Sequence, residues 1–205
     1  MSIAAIIPVK PFAEGKSRLA GFLSDEQRYT LNRNMFRHVL KTALATQGVH
    51  DILVISRDED SLNLAEEAGA HAILEGPNSS LNDALDVARK ASFALNVSGL
   101  LIVPADLARL EPTDLIDILI SADDHSPTTA LVIIAPDESQ RGTNALFIRP
   151  PDSIKFLFGV NSFERHREMA IDAGCQISVL KNPNLSFDVD EPKDLSNLDT
   201  ELWQA

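Results

Sequence analysis

The stretch Ile3-Ala4-Ala5-Ile6-Ile7-Pro8-Val9-Lys10-Pro11-Phe12-Ala13-Glu14-Gly15-Lys16-Ser17-Arg18 decides how the rest of the chain is read. Its apolar, β-branched opening predicts a buried strand, and Pro8 and Pro11 bracket the exit. The loop beyond carries Lys10, Lys16, Ser17 and Arg18. A core strand that delivers several cations into one short loop suits phosphate, which backbone N–H groups and side-chain charge can hold together. The same residues also read as solvated cations on a surface loop, so the remaining chain has to decide.

Downstream, Ser24 with Gln27 offers a helix cap, and Leu31, Met35, Phe36, Val39, Leu40, Ala43 and Leu44 recur at helical spacing. A long amphipathic helix over Asp25–Thr46 follows, ended by Gly48. Asp51–Ser56 reads as a second strand, Ser61–Ala68 as a helix stopped by Gly69, and His71–Leu74 as a third strand. Glu75–Ser80 is turn-rich and leads into a helix over Leu81–Leu95. Gly99–Pro104 is a fourth strand ending in Ala105-Asp106-Leu107, and Pro112 suits the first position of a helix reaching Ala122. This alternation predicts an α/β fold, a mainly parallel sheet with helices on both faces.

The pattern then changes. Thr128–Ala135 and Asn144–Arg149 read as strands joined by a polar loop with no helix between them, which implies an antiparallel element. Phe163–Ala173 is helical, Gln176–Leu180 and Ser186–Asp190 read as strands, and Pro192–Leu198 as a closing helix. No repeat, low-complexity tract or linker interrupts the chain, so residues 1–205 are expected to form one domain.

The bulk properties narrow the class of function. A formal charge of −12 argues against a nucleic-acid surface and makes the cluster of Lys10, Lys16 and Arg18 a local reversal of the field. One cysteine, Cys175, excludes an internal disulfide and a thiolate zinc cluster; its surroundings suit a small core residue. The amino terminus shows no charged segment followed by a long apolar run, and no run is long enough to cross a bilayer. The expectation is a cytoplasmic protein with no membrane partner.

In an open parallel sheet, ligands bind beyond the carboxyl ends of the strands. The opening loop, Glu75–Ser80 and Asp106 should therefore share one edge. Gly15-Lys16-Ser17 resembles part of a phosphate-binding P-loop, but Lys10 stands where that motif needs its first glycine. A dinucleotide fingerprint is missing as well. Asp188 and Asp190 alternate with Phe187 and Val189, so both carboxylates should face one way and repel unless a cation lies beside them. They also read as surface aspartates in a turn. With Asp106 as a third carboxylate they could form a hard oxygen site of the kind Mg²⁺ prefers when it also meets phosphates. None of the five histidines has metal-ligand spacing, and His38 and His166 read as structural helix residues.

Taken together, these segments resemble the CofC-type guanylyltransferases of coenzyme F-420 biosynthesis over essentially the whole chain. The carrying segments are Ile6-Ile7-Pro8-Val9-Lys10 with Lys16-Ser17-Arg18-Leu19-Ala20, Ser80-Leu81-Asn82-Asp83-Ala84-Leu85 and Val103-Pro104-Ala105-Asp106-Leu107. Ala135-Pro136-Asp137 with Gly142-Thr143-Asn144-Ala145-Leu146, Phe158-Gly159 with Ser162-Phe163, and Phe187-Asp188-Val189-Asp190 complete the set. The resemblance implies a three-layer, GT-A-like nucleotidyltransferase that attacks GTP with a phosphorylated three-carbon acid: 2-phospho-L-lactate, phosphoenolpyruvate or 3-phosphoglycerate.

By the same resemblance Asp106, Asp188 and Asp190 would hold Mg²⁺, while Asp106, Lys16 and Arg18 would be catalytic. Lys10, Lys16 and Arg18 would meet the nucleotide phosphates, Leu81 and Asn82 would lie at the base, and Thr143, Gly159 and Ser162 would take the acceptor. Ser17, with no evident histidine partner for nucleophilic catalysis, reads from the residues alone as a further phosphate ligand. A downstream transferase would consume the guanylated product, and a homodimer is compatible with the exposed helix faces. Two positions depart from the family pattern: Ala108 stands for an expected proline and Ser80 for an expected glycine. Transfer to a sugar phosphate or to molybdopterin, and a non-catalytic nucleotide-binding domain, are the competing readings. The Gly-rich loop of the molybdopterin family is missing at Pro8–Pro11, and a non-catalytic domain would not be expected to keep all its charged site residues.

Overall fold

A computed structural model of the protein describes residues 2–77, 79–196, 198 and 202. Strand β1 (Ile3–Pro8) lies in the middle of the sheet, and Ile3 through Ile7 are almost wholly withdrawn from solvent. A run without polar side chains suits a strand covered on both faces. β2 (Val49–Ser56) and β4 (Gly99–Ile102) flank it in parallel, and β3 (His71–Leu74) continues in parallel beyond β2. On the other side β6 (Thr143–Arg149) runs antiparallel to both β4 and β5 (Leu131–Pro136), and β7 (Gln176–Val179) is parallel to β5. The order β3-β2-β1-β4-β6-β5-β7 is thus a mainly parallel sheet with one reversed strand.

Helices α1 (Asp25–Ala45), α2 (Glu59–Glu67) and α4 (Pro112–Asp123) cover one face, where Phe36, Val39, Leu115 and Ile118 meet Ile3, Ile7, Leu101 and Phe147. On the opposite face, Ala84 and Leu85 of α3 (Leu81–Ser92) and Ala170 of α5 (Ser162–Asp172) pack over Ile6, Ile102, Ile134 and Leu146. The caps follow from the sequence. Ser24 Oγ accepts from the Gln27 N–H at 3.2 Å while Gln27 Oε1 accepts from the Ser24 N–H at 2.9 Å, closing the box that starts α1. The expected helix to Leu95 ends earlier, at Ser92, and continues as a 3-10 turn over Phe93–Leu95.

One expected strand is corrected. Ser186–Asp190 has no ladder partner; Pro183–Ser186 is a short helix, α6, and the chain beyond it is extended but unpaired. The alternation nevertheless holds. Val189 and Phe187 pack with Leu19, Leu23, Leu31, Met35 and Ala108 in a third apolar cluster, leaving Asp188 and Asp190 on the other side. α7 covers Pro192–Leu195, and the expected continuation to Leu198 passes through Asn197, outside the described residues. Among the described residues no helix is long and apolar enough to cross a membrane.

The strand order places the site. From β1 the chain steps outward through β2 to β3, then α3 carries it back across β1 to β4. The order reverses between β1 and β4, which opens a crevice at their carboxyl ends.

Candidate active site

That crevice is a cavity of about 520 Å³, lined by Lys10, Lys16, Ser17, Arg18, Asp106 and Asp190 among others. The loop after β1 is pinned from behind. Asn32 of α1 donates to the Phe12 carbonyl at 2.7 Å, and a Cβ built on Gly15 would lie 2.5 Å from Asn32 Nδ2. Glycine is required there by close approach, not by backbone angle. The next residue, Lys16, holds a left-handed backbone (φ 55, ψ 38), a costly conformation for a residue with a side chain. The turn drives Lys16 inward and opens the 3-10 turn Ser17–Leu19, whose Leu19 anchors in the third cluster.

Lys16 Nζ lies 2.6 Å from Asp106 Oδ2 and 3.6 Å from Asp190 Oδ1; its side chain is 6% exposed, whereas Asp106 keeps 39% open to the cavity. Arg18, largely exposed, donates to Asp190 Oδ2 at 2.9 Å. Burial alone would lower the Lys16 pKa, but the charge and hydrogen bond of Asp106, with Asp190 and Asp188 behind it, raise it. Burial alone would likewise raise Asp106, and Lys16 holds it below the usual carboxylate range. At neutral pH both are charged.

Asp188 behaves differently. Burial and the neighbouring charge of Asp106 push its carboxyl up to about 7, although Asn144 Nδ2 donates to Oδ1 at 3.0 Å. Among the described residues no three acidic or imidazole groups are gathered to share one ion; the Lys16 ammonium contacts both Asp106 and Asp190. In chemical kind the donors fit a hard divalent cation. All three are carboxylates, hard oxygen donors of the kind such a cation prefers; burial first, and then the charge of Asp106, raises the Asp188 carboxyl.

Leu81 lies at the cavity wall with Ser79 and Glu75. Asn82, expected at the base, spends its amide elsewhere: Nδ2 donates to the Phe158 carbonyl at 3.1 Å and Oδ1 accepts from the Phe158 N–H at 2.9 Å. It clamps the start of α3 to the loop before α5. Ser80, in place of the family glycine, is the N-cap of α3; its Oγ accepts from the Asp83 N–H at 3.3 Å. Ala108, in place of the proline, packs against Val189, and Arg109 stacks 3.8 Å over the Phe187 ring. Both substitutions are absorbed locally.

At the start of β6, the β5–β6 register slips between Ala135 and Pro136, a bulge that re-aims the first residues of that strand. Thr143 reaches His166 of α5, and Asn144 reaches the Leu185 carbonyl and Asp188. Ser162 is buried at the first turn of α5, and Gly159 (φ +120), with nothing within 4 Å of a built Cβ, is exposed at the loop before it. Thr143 and Ser162 are buried, and neither they nor Gly159 line this cavity; Phe158, next to Gly159 in the chain and packed on His166, does.

Sequence reasoning missed several members. Arg57 pairs with Glu14 and Glu75 at the cavity wall, Asn144 supports Asp188, and Asn32 backs the cationic loop. His166, read only as structural, is fully buried and bonded at both ring nitrogens. Its place between Phe163 and Ala170 on one helix face was the available signal that the ring points inward.

The architecture is that of the nucleotidyltransferases. A nucleotidyl transferase from Methanothermobacter thermautotrophicus superposes with a TM-score of 0.68, covering 96% of this chain and 95% of that one, at 14% identity. The family follows from the sequence. A model described as "Guanylyl transferase CofC like" matches residues 3–200, and the chain belongs to that family. A phosphoenolpyruvate guanylyltransferase from Rubrobacter xylanophilus is 37% identical over 97% of this chain and 94% of its own length. A 3-phospho-D-glycerate guanylyltransferase from Colwellia psychrerythraea is 31% identical over 94% and 89%, and a 2-phospho-L-lactate guanylyltransferase from Methanocaldococcus jannaschii is 29% identical over 97% and 83%.

Proposed function

We propose that this protein joins GMP from GTP to a phosphorylated three-carbon acid and releases pyrophosphate, a cytoplasmic step toward coenzyme F-420. The observation that carries the reading is the meeting of Lys16, Arg18, Asp106 and Asp190 at the β1/β4 crevice in a chain of this family.

The chemistry needs little beyond charge and alignment. An oxygen of the acid's phosphate attacks the α-phosphorus of GTP, a new O–P bond forms, and the bond to the β-phosphate bridging oxygen breaks with its electron pair leaving on pyrophosphate. The attacking phosphate is already ionised, so no general base is required. Lys16 and Arg18 stand where they can exchange carboxylate partners for the triphosphate, with Lys10 and Ser17 at the same cavity wall. Leu81 and Ser79 offer a wall for the base. Thr143, Gly159 and Ser162 take the acid, with the start of α5 favouring its negative charge. Asp106, Asp188 and Asp190 would hold Mg²⁺, which when bound neutralises phosphate charge as it develops. The product is an activated phosphoanhydride, suited to a following transferase that expels GMP.

The test is pyrophosphate release from GTP with each of the three acids, with Mg²⁺ and after chelation. Turnover with at least one acid and its loss on chelation are expected. No turnover with any acid, or full turnover without a divalent cation, would overturn the proposal.

A further inference from the structure

His166 is withdrawn from solvent in α5 and bonded on both sides. The Leu157 N–H donates to Nε2 at 2.9 Å, and Nδ1 lies 3.0 Å from Thr143 Oγ1. A backbone amide can only donate, so Nε2 must carry its lone pair. A neutral ring then bears its proton on Nδ1 and must donate it to Thr143. Protonating the ring would set an N–H against the Leu157 N–H. Burial, with the charge of Arg165, lowers the ring pKa to about 4, and the Phe158 ring packs edge-on at 4.8 Å.

The consequence falls on Thr143. Its oxygen accepts from His166, and among the described hydrogen bonds it has no other partner. Its own hydrogen is left to donate.

We infer that His166 is a positioning residue that fixes the Thr143 hydroxyl as an obligate donor, so that this subsite takes an anionic oxygen of the acceptor and disfavours a hydrogen-bond donor. The inference rests on the proposed placement of the acceptor at Thr143. It also explains the Asn82 clamp: Asn82 holds Phe158, and the neighbouring Leu157 N–H sets the His166 tautomer. The start of α3, the loop before α5 and the acceptor hydroxyl are thereby one hydrogen-bonded unit.

Two measurements test it. In ¹⁵N-labelled full-length protein at neutral pH, two-bond nitrogen–proton correlations should show His166 neutral and protonated on Nδ1. An Nε2-protonated ring or an imidazolium would overturn the inference without any variant having to fold.

In kinetics, Thr143→Val and His166→Gln should each raise the KM for the acid roughly tenfold or more, the scale of one hydrogen bond to a charged group, with the KM for GTP little changed. His166→Gln can still accept from Leu157 but cannot reach Thr143. His166→Asn keeps a donor at the Nδ1 position and should restore most of the affinity. The double variant Thr143→Val/His166→Gln should be no worse than the poorer single one, because both remove the same interaction. An unchanged KM for the acid in Thr143→Val would overturn the acceptor placement itself. A raised KM in Thr143→Val with a normal one in His166→Gln would overturn only the part given to His166.

Discussion

Lys16 and Asp106, ninety residues apart, meet as an ammonium and a carboxylate 2.6 Å from each other at the point where the strand order reverses. Each keeps the other charged: Asp106 raises the Lys16 pKa against its burial, and Lys16 lowers that of Asp106. The pair therefore presents a cation beside the cavity and a carboxylate still partly open to it.

Lys16→Met preserves the stem but removes the cation and leaves Asp106 without its nearest counter-charge. The kcat/KM for GTP should fall by on the order of 10²–10³, the cost of losing one charge-stabilising group. Lys16→Arg should recover little, because a planar fork does not fit a site built around a point charge. Exposed Lys10 should matter less, and a Lys10→Met loss as large as that of Lys16→Met would contradict the ranking. Steady-state kinetics with GTP varied provide the comparison.

Gly15→Ala forces a methyl group against Asn32, whose amide already holds the Phe12 carbonyl. A loss of about 1–3 kcal/mol is expected, the usual cost of overpacking, together with a raised KM for GTP. Gly21→Ala meets nothing within 4 Å and serves as the control. Urea unfolding of the two variants measures the contrast, and equal midpoints would show that the loop is not held at Asn32.

Asn82→Ala strips both partners from the Phe158 backbone. Stability should fall by about 1–3 kcal/mol, and the KM for the acid should rise more than the KM for GTP. The reverse order of effects, measured with each substrate varied in turn, would return Asn82 to the base.

His166 titrates at about 4 in the folded protein, where the unfolded ring has a value near 6.5. Between these values the unfolded chain binds the extra proton, so stability is present above about pH 6.5 and is lost as pH falls toward 4. The full span is worth roughly 3 kcal/mol. Asp188, raised to about 7, acts in the opposite sense, its contribution falling as pH rises toward 7. That slope is common to wild type and His166→Gln and cancels in their difference. Urea midpoints at several pH values should show wild type losing more on acidification than the variant. Parallel curves would contradict the buried neutral ring.

Much of this was legible in the chain. The Ile3–Ile7 run has no polar side to face water, so it had to be a central strand, and the Ser24/Gln27 box marked the start of α1. The meeting of the opening loop with Asp106 followed from strand order alone. The pairing of Ser186–Asp190 was misread because alternation reports which way side chains face, not whether a ladder partner exists. Here the support for Asp188 is a side-chain amide, Asn144, placed by a bulge that leaves no local signature. His166 and the Asn82 clamp escaped notice for a related reason. Their partners are backbone groups of Leu157 and Phe158, and backbone groups have no residue type to read.

The proposed reaction transfers a guanylyl group at the α-phosphorus in a site organised by Asp106. It is tested most directly with GTP carrying isotopic phosphorus at the α or the γ position, incubated with the full chain, Mg²⁺ and each three-carbon acid. α-Label should appear in the guanylated acid and γ-label only in pyrophosphate, with both signals reduced on the order of 10²–10³ in Asp106→Asn. Label from the γ position in the acid adduct, or transfer undiminished in Asp106→Asn, would contradict it.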